Sequence, residues 1–341
     1  MGRGLVRGRR RKRGKGGVQH RSFSLGAAAL IGAVLAILSS GRAADTEETR
    51  AETVCILFSR DVEPYREAVK GFKERINGSG RCRFVELFMP GQDVGELTGK
   101  IRDAKADLVL TLGTEASKVT AVHIEDMPVV FAMVANPVDS GVLPRRSYPG
   151  QLVAGVTTDV MPKRQFEMLR RLVPGAKRVA VIYCPQYTEV TVKEGEEAAK
   201  SLGMELVRFP VEPFRVDKAV DKLAKEPVDA IWTVTDPGVM VPASARLILV
   251  FALKNKIPVI GFSHEMVRAG ALFGFGIDAE AIGAQAGDVA AAILREGKKP
   301  EEFHLLYPEK TSLALNASVA ERIGVEFPKE VFAEAKIVYG E

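Results

Sequence analysis

Asp107-Leu108-Val109-Leu110-Thr111-Leu112-Gly113-Thr114-Glu115-Ala116 decides how this chain is read. Asp107 to Leu112 is a short apolar run with strand character, Gly113 breaks it, and Glu115 to His123 is read as a helix. A second apolar strand follows at once, Pro128-Val129-Val130-Phe131-Ala132-Met133-Val134. A strand, a helix and another strand joined this tightly make a crossover unit, and such units build parallel sheets covered by helices on both faces. Working toward the N-terminus, the same unit recurs. Thr53 to Phe58 and Arg83 to Phe88 are strands, while Pro64 to Ile76 (Tyr65, Val69, Phe72, Ile76 on one face) and Val94 to Ala104 are helices.

Toward the C-terminus the pattern restarts at Lys177. Strands are expected at Arg178 to Tyr183, Glu205 to Phe209, Ala230 to Val234 and Pro258 to Phe262, and helices at Val190 to Leu202, Val216 to Ala224 and Ala245 to Asn255. The spacing repeats, with 23 residues from Val85 to Leu108 and 24 from Val207 to Ile231. Both halves carry a late strand opening on proline, Met127-Pro128-Val129-Val130 and Ile257-Pro258-Val259-Ile260. This self-similarity argues for two similar lobes. A helix over Ala279 to Arg295 and a strand near Thr311 to Leu315 are too little for a third domain and must pack on the lobes.

Length and charge agree with that reading. The 341 residues suit two domains. The net charge of +5 comes from the leader: residues 1–43 hold ten basic and no acidic side chains, leaving 38 basic against 43 acidic in the remainder. A nucleic-acid partner is excluded, because the folded part has no basic footprint for a phosphate backbone. The basic leader runs into an uncharged stretch, Ser22 to Leu38, and small residues ending Gly41-Arg42-Ala43-Ala44. Its apolar core is too short to span a bilayer, so residues 1–43 are expected to be a signal peptide and the protein periplasmic; an uncleaved anchor would leave the domains on the same side. Cys55, Cys82 and Cys184 show no Cys-x-x-Cys spacing, so no metal cluster or redox pair is expected. Cys55 and Cys82 are expected to be free, with a disulfide as the alternative if their strands lie side by side.

Ligands of open parallel sheets sit beyond the carboxyl ends of the strands. Two such edges facing each other make a cleft. The positions this nominates are Ser59, Gly113, Thr114, Glu115 and Asn136 in the first lobe, and Tyr183, Tyr187, Thr235, Asp236, Ser263, His264 and Phe275 in the second. Thr114 is expected to cap the helix it opens, whose first-turn N–H groups either receive an anion or form an ordinary cap. Tyr183, Tyr187 and Phe275 either stack on a ligand or belong to the core. Asp236 either holds an ammonium group or opens the turn at Pro237. Together these groups suit a zwitterion with an apolar side group, an amino acid or close derivative.

Several stretches resemble a known family: the Leu110 to Ala116 run, Pro128-Val129-Val130-Phe131-Ala132, Asn136-Pro137-Val138-Asp139-Ser140-Gly141, Gly270-Ala271-Leu272, and Asn316 to Pro328. In this order they resemble the ABC-transporter substrate-binding proteins that include tryptophan-binding members. The resemblance implies the type I periplasmic-binding fold, α/β, with two Rossmann-like lobes joined by a three-crossover hinge. It divides the chain into 52–156 plus 277–302 as lobe one and 157–276 plus 303–341 as lobe two. It implies a secreted receptor without cofactor, metal or chemistry of its own, a monomer that closes on a small molecule and delivers it to an ABC permease. Members of the aromatic-amino-acid subgroup carry a Glu-His-Pro-Ala-Leu-Asp-like stretch after the first strand; here Ser59-Arg60-Asp61-Val62-Glu63-Pro64-Tyr65 stands instead, so ligand identity is not carried over.

The alternatives are a two-lobed isomerase or hydrolase and a ligand-sensing ectodomain. Gly274-Phe275-Gly276-Ile277-Asp278-Ala279 imitates a dinucleotide fingerprint but follows the wrong strand, and reads as a tight crossover hinge. Ser263-His264-Glu265 gathers a hydroxyl, an imidazole and a carboxylate, but neighbours on one loop do not face each other as a triad must.

Overall fold

The computed structural model describes residues 51–78 and 82–340; the expected signal peptide lies outside them. Lobe one is built from β1 (Glu52–Phe58), α1 (Glu63–Asn77), β2 (Cys82–Phe88), α2 (Val94–Asp103), β3 (Leu108–Leu112), α3 (Thr114–His123), β4 (Val129–Val134) and β5 (Val153–Thr157). The chain then crosses to lobe two: α4 (Pro162–Leu172), β6 (Arg178–Tyr183), α5 (Pro185–Ser201), β7 (Glu205–Pro210), α6 (Val216–Leu223), β8 (Ala230–Trp232), α7 (Pro242–Lys254), β9 (Val259–Gly261), α8 (His264–Ala269) and β10 (Phe273–Ile277). It returns for α9 (Ala279–Glu296), α10 (Pro300–Phe303) and β11 (Leu305–Leu306), and crosses once more for β12 (Thr311–Asn316), α11 (Ala317–Ile323), α12 (Lys329–Glu334) and β13 (Ala335–Tyr339).

The first sheet runs β11-β5-β4-β3-β1-β2 and the second β13-β12-β10-β9-β8-β6-β7. Every pairing is parallel except β10 with β12. The central strands are apolar along their whole length because helices cover both faces: β1, β3 and β4 are buried at nearly every position, split between two core clusters. One of these clusters depends on α9, which packs against α1. Gly71 and Gly283 make that contact possible, since a Cβ on either would run into the backbone of the other helix.

The α/β class and doubled parallel architecture are as the sequence reading expects. Two local expectations are corrected, and the expectation of free cysteines holds. The Gly274 to Ala279 run is not a hinge turn: Gly274, Phe275, Gly276 and Ile277 lie inside β10, where a Cβ on Gly274 or Gly276 would meet the Gly261 carbonyl or the His264 ring. The crossing itself follows at Asp278, whose carboxylate caps α9. Residues 303–341 do not all belong to lobe two, because Leu305 and Leu306 add a short strand to the β5 edge of the first sheet, placing the last crossing after them. Cys55 and Cys82 do stand on neighbouring strands, but the register sets Cys82 opposite Glu52 and Cys55 opposite Val85. Three residues of offset is about 10 Å along a strand, beyond disulfide reach, and all three cysteines are free thiols. Burial pushes the Cys55 thiol up to about 12.

Candidate functional site

The carboxyl end of β4 is where lobe one reaches lobe two. Met133 is an extra residue there: Ala132 pairs with Val156 and Val134 with Thr157, and Met133 takes a left-handed φ of 60°. A bulge of this kind turns the following chain out of the sheet. The turn it launches, Asn136 to Asp139, carries Asn136 at φ 46°. The Asn136 amide Nδ2 donates to the Thr235 carbonyl after β8 at 2.7 Å, and the Thr191 hydroxyl of α5 lies 3.0 Å from Asn136 Oδ1.

α5 is two helical pieces joined at Thr188, which is non-helical (φ −146°, ψ 24°). The second piece therefore begins with unsatisfied N–H groups. Val190 N–H and Thr191 N–H donate to the two oxygens of Asp139 at 2.8 and 3.0 Å. A carboxylate from lobe one thus caps a helix of lobe two, a position where negative charge is favoured by the helix dipole.

Beside this clasp lies a cavity of about 40 Å³. Asp159, just past β5, is held by the Asn136 N–H at 2.7 Å and the Thr157 and Thr235 hydroxyls at 2.6 and 3.2 Å. Loss of water raises its carboxyl above the ordinary value, with repulsion from Asp139 adding to the effect. Glu194 on α5 accepts the Tyr307 hydroxyl at 2.9 Å, and desolvation, then Asp159 and Asp139, raise it too. Burial likewise raises the Tyr307 phenol. Among the described residues no lysine or arginine forms an ion pair with Asp139, Asp159 or Glu194. The apolar part of the cavity wall includes Val234, Phe262 and Phe275, with Trp232 behind it donating its indole N–H to Gln165 Oε1 at 3.0 Å.

Of the twelve residues nominated from the sequence, Thr235 and Phe275 line this cavity and Asn136 binds the lip beside it. The others are placed elsewhere. Gly113, not Thr114, is the N-cap of α3 (φ 88°), and the Ala116 N–H is taken by the Ser59 hydroxyl at 2.9 Å, so Thr114 is not the cap. Thr114 and Glu115 sit in that first turn, two strands away from Asp159 in the sheet order. Asp236 is 1% exposed and accepts the Cys184 N–H, the Thr188 hydroxyl and the Gly238 N–H at 2.7, 2.5 and 2.8 Å, the bonds its turn reading calls for, and it does not line the cavity. Tyr183 is buried and donates its hydroxyl to Glu189 at 3.0 Å, under the Arg208 guanidinium; the Tyr187 ring packs at Gly238. Tyr183 belongs to the interior of lobe two, and Tyr187 is half-buried against it. Ser263 caps α8 and the His264 ring Nε2 lies 2.9 Å from the Ser312 carbonyl, so these two do not converge on a reacting atom.

Asp159, Thr191, Glu194 and Tyr307 were missed. The same strand-end rule would have reached Asp159 had Val153-Ala154-Gly155-Val156-Thr157, an apolar run after Pro149-Gly150, been read as a strand. No comparable signal marks Glu194 or Tyr307, which come from the middle of a helix and from a crossing segment.

Two parallel-sheet lobes crossed three times, with a cavity at the junction between them, define a type I periplasmic binding protein. Comparison with known proteins makes the assignment specific. The chain belongs to the family described as ABC transporter substrate binding protein, whose model matches residues 90–339. It is 25% identical over 260 residues to the tyrosine-binding protein of Clostridioides difficile (strain R20291), covering 75% of this chain and 74% of that one. Among solved structures it is similar to an ABC domain in complex with L-Trp from Streptococcus pneumonia (TM-score 0.61, 21% identity, 84% and 99% of the two chains covered). It is likewise similar to the ligand-free, open structure of a substrate binding protein with adhesive properties from Clostridium difficile (TM-score 0.66, 22% identity, 85% and 100% covered). Substrate binding for an ABC transporter is therefore the protein's function. No helix among the described residues is long and apolar enough to cross a membrane.

Proposed function

We propose that the protein is an extracytoplasmic, monomeric receptor for a free amino acid, which it closes upon and hands to an ABC permease without chemically changing it. The observation that carries this reading is the group Asp139, Asp159 and Glu194 at the lobe junction, uncompensated by any ion-paired lysine or arginine among the described residues. A ligand ammonium group entering between Asp159 and Glu194 relieves their mutual repulsion, while Val234, Phe262 and Phe275 receive an apolar side chain. The tyrosine-binding relative and the L-Trp complex favour an aromatic amino acid.

Ligand sites for small molecules start near roughly 300 Å³, so a cavity of about 40 Å³ does not admit an aromatic amino acid until the lobes part. Opening breaks the Asn136 and Asp139 contacts to lobe two; closure restores them around the ligand. Because the ligand touches both lobes, it shifts the equilibrium toward the closed form.

The test is calorimetry with L-tyrosine and L-tryptophan on the wild-type protein, Asp159→Asn and Glu194→Gln. Losing one charge-assisted bond is worth about 1.5–3 kcal/mol, so either substitution is expected to weaken binding by about tenfold or more. Affinities unchanged within about threefold in both variants would overturn the ammonium site.

A further inference from the structure

The two acids that line the cavity are held very differently. Asp159 accepts three bonds, two on one oxygen and one on the other. Glu194 accepts one among the described residues, from the Tyr307 hydroxyl to Oε2, which leaves Oε1 without a hydrogen bond at the cavity wall. A glutamate turns about three side-chain torsions, so that single bond decides which way its carboxylate faces.

Tyr307 is held in turn. It stands in the third crossing, between β11 and β12 and outside both strands. Gln285, half-buried on α9, clamps this segment with both ends of its amide: Nε2 donates to the Tyr307 carbonyl at 3.0 Å, and Oε1 accepts the Glu309 N–H at 3.3 Å. The amide fits only this way round, because turning it over sets oxygen against a carbonyl oxygen and NH2 against an N–H. α9 packs in the core of lobe one and α5 belongs to lobe two, so a chain of polar contacts runs from Gln285 through Tyr307 to Glu194 across the lobe junction.

The last link also has an electrostatic effect. Desolvation, Asp159, Asp139 and Glu197 all raise the Glu194 carboxyl, and the Tyr307 hydroxyl opposes them by bonding the charged form. Burial raises the phenol itself, which therefore keeps its proton and stays a donor. Among the described residues the other cavity walls, from α4 and the ends of β8, β9 and β10, bring no titratable side chain to Glu194.

We propose that Tyr307 and Gln285 are positioning residues of the ligand site: Gln285 fixes the third crossing, the Tyr307 hydroxyl fixes the Glu194 carboxylate, and Glu194 Oε1 is thereby turned toward the ligand's ammonium group. This rests on the ammonium reading given above.

The experiment is calorimetry with L-tyrosine and L-tryptophan, from about pH 8 down to about pH 5, on the wild-type protein, Tyr307→Phe, Gln285→Ala, the double variant and Glu194→Gln. Tyr307→Phe keeps the ring and removes only the hydroxyl. It is expected to weaken binding about tenfold at neutral pH and, on acidification, to lose affinity at a higher pH than the wild type. Gln285→Ala is expected to act in the same direction, about fivefold, and to add less than about twofold in the Tyr307→Phe background, since its effect passes through the hydroxyl. In the ligand-free protein the carbon-13 signal of the Glu194 carboxyl, identified by its loss in Glu194→Gln, is expected to titrate at higher pH in both single variants than in the wild type. Wild-type affinity and titration in Tyr307→Phe overturn the proposal, as does a Gln285→Ala effect of equal size in both backgrounds. If Glu194→Gln binds as tightly as wild type, the ammonium reading fails, and a shifted titration still leaves Glu194 held through Tyr307. If Glu194→Gln weakens binding and the titration does not shift, the ammonium reading stands and the positioning is overturned.

Discussion

The two lobes tie together the same pair of strand ends by opposite means. In lobe one a side chain after β1, the Ser59 hydroxyl, reaches across to the Ala116 N–H after β3. In lobe two a side chain after β8, the Asp236 carboxylate, reaches back to the Cys184 N–H after β6 and also takes Thr188 and Gly238. One stitch is a neutral single bond; the other buries a charge and satisfies it with three donors. Both consume groups that sequence position nominates for a ligand. Ser59 and Asp236 at central strand ends are therefore engaged in holding their lobes together, while the cavity is lined from another strand end (Thr235), a helix (Glu194) and crossing segments (Asp159, Tyr307).

Asp236→Ala is expected to break this contrast most severely. It leaves buried donors at Cys184 and Gly238 without an acceptor, a loss of about 3–5 kcal/mol in urea unfolding, with Asp236→Asn recovering part of it. A loss below about 1 kcal/mol would show the carboxylate to be dispensable. Asp139→Ala removes the cap that lobe one places on α5, about 1–2 kcal/mol, and the amides of Val190 and Thr191 are expected to exchange about 5–30 times faster. Unchanged protection there would mean that the contact does not hold the lobes. Ser59→Ala is expected to lower stability by about 1 kcal/mol, and a change as large as that of Asp236→Ala would erase the difference between the stitches.

The smallest effect is a slope with pH. Asp159 and Glu194 have raised pKa values in the folded protein, so between the ordinary carboxyl range and those raised values the folded state binds more protons than the unfolded one. Stability of the ligand-free protein is therefore expected to fall as pH rises through that window, with the full penalty above it. Glu52, lowered by its bond to Arg295, acts in the opposite sense and at more acid pH. Thermal midpoints across mildly acid pH should show the decline, and Asp159→Asn should flatten it.

Much of the fold was legible because period and spacing are properties of whole segments: β1, β3, β6 and α3 fall within a residue or so of their expected bounds. β5 and β10 escaped because each contains glycine and neither is followed by a crossover helix within its own lobe. The site was less legible for a related reason. Thr235 and Phe275 follow from strand ends, but Glu194 and Tyr307 become neighbours only once three separate crossings are folded together, and no local pattern records that.

The contact of α1 with α9 orders events in time. Residues 63–77 offer an apolar face whose cover, residues 279–296, emerges from the ribosome about 200 residues later, roughly 10–40 s at ordinary elongation rates. Lobe one cannot complete its core during that interval, whereas most of lobe two is continuous in the chain. Synthesis therefore leaves the first-made half of the molecule open until nearly the last.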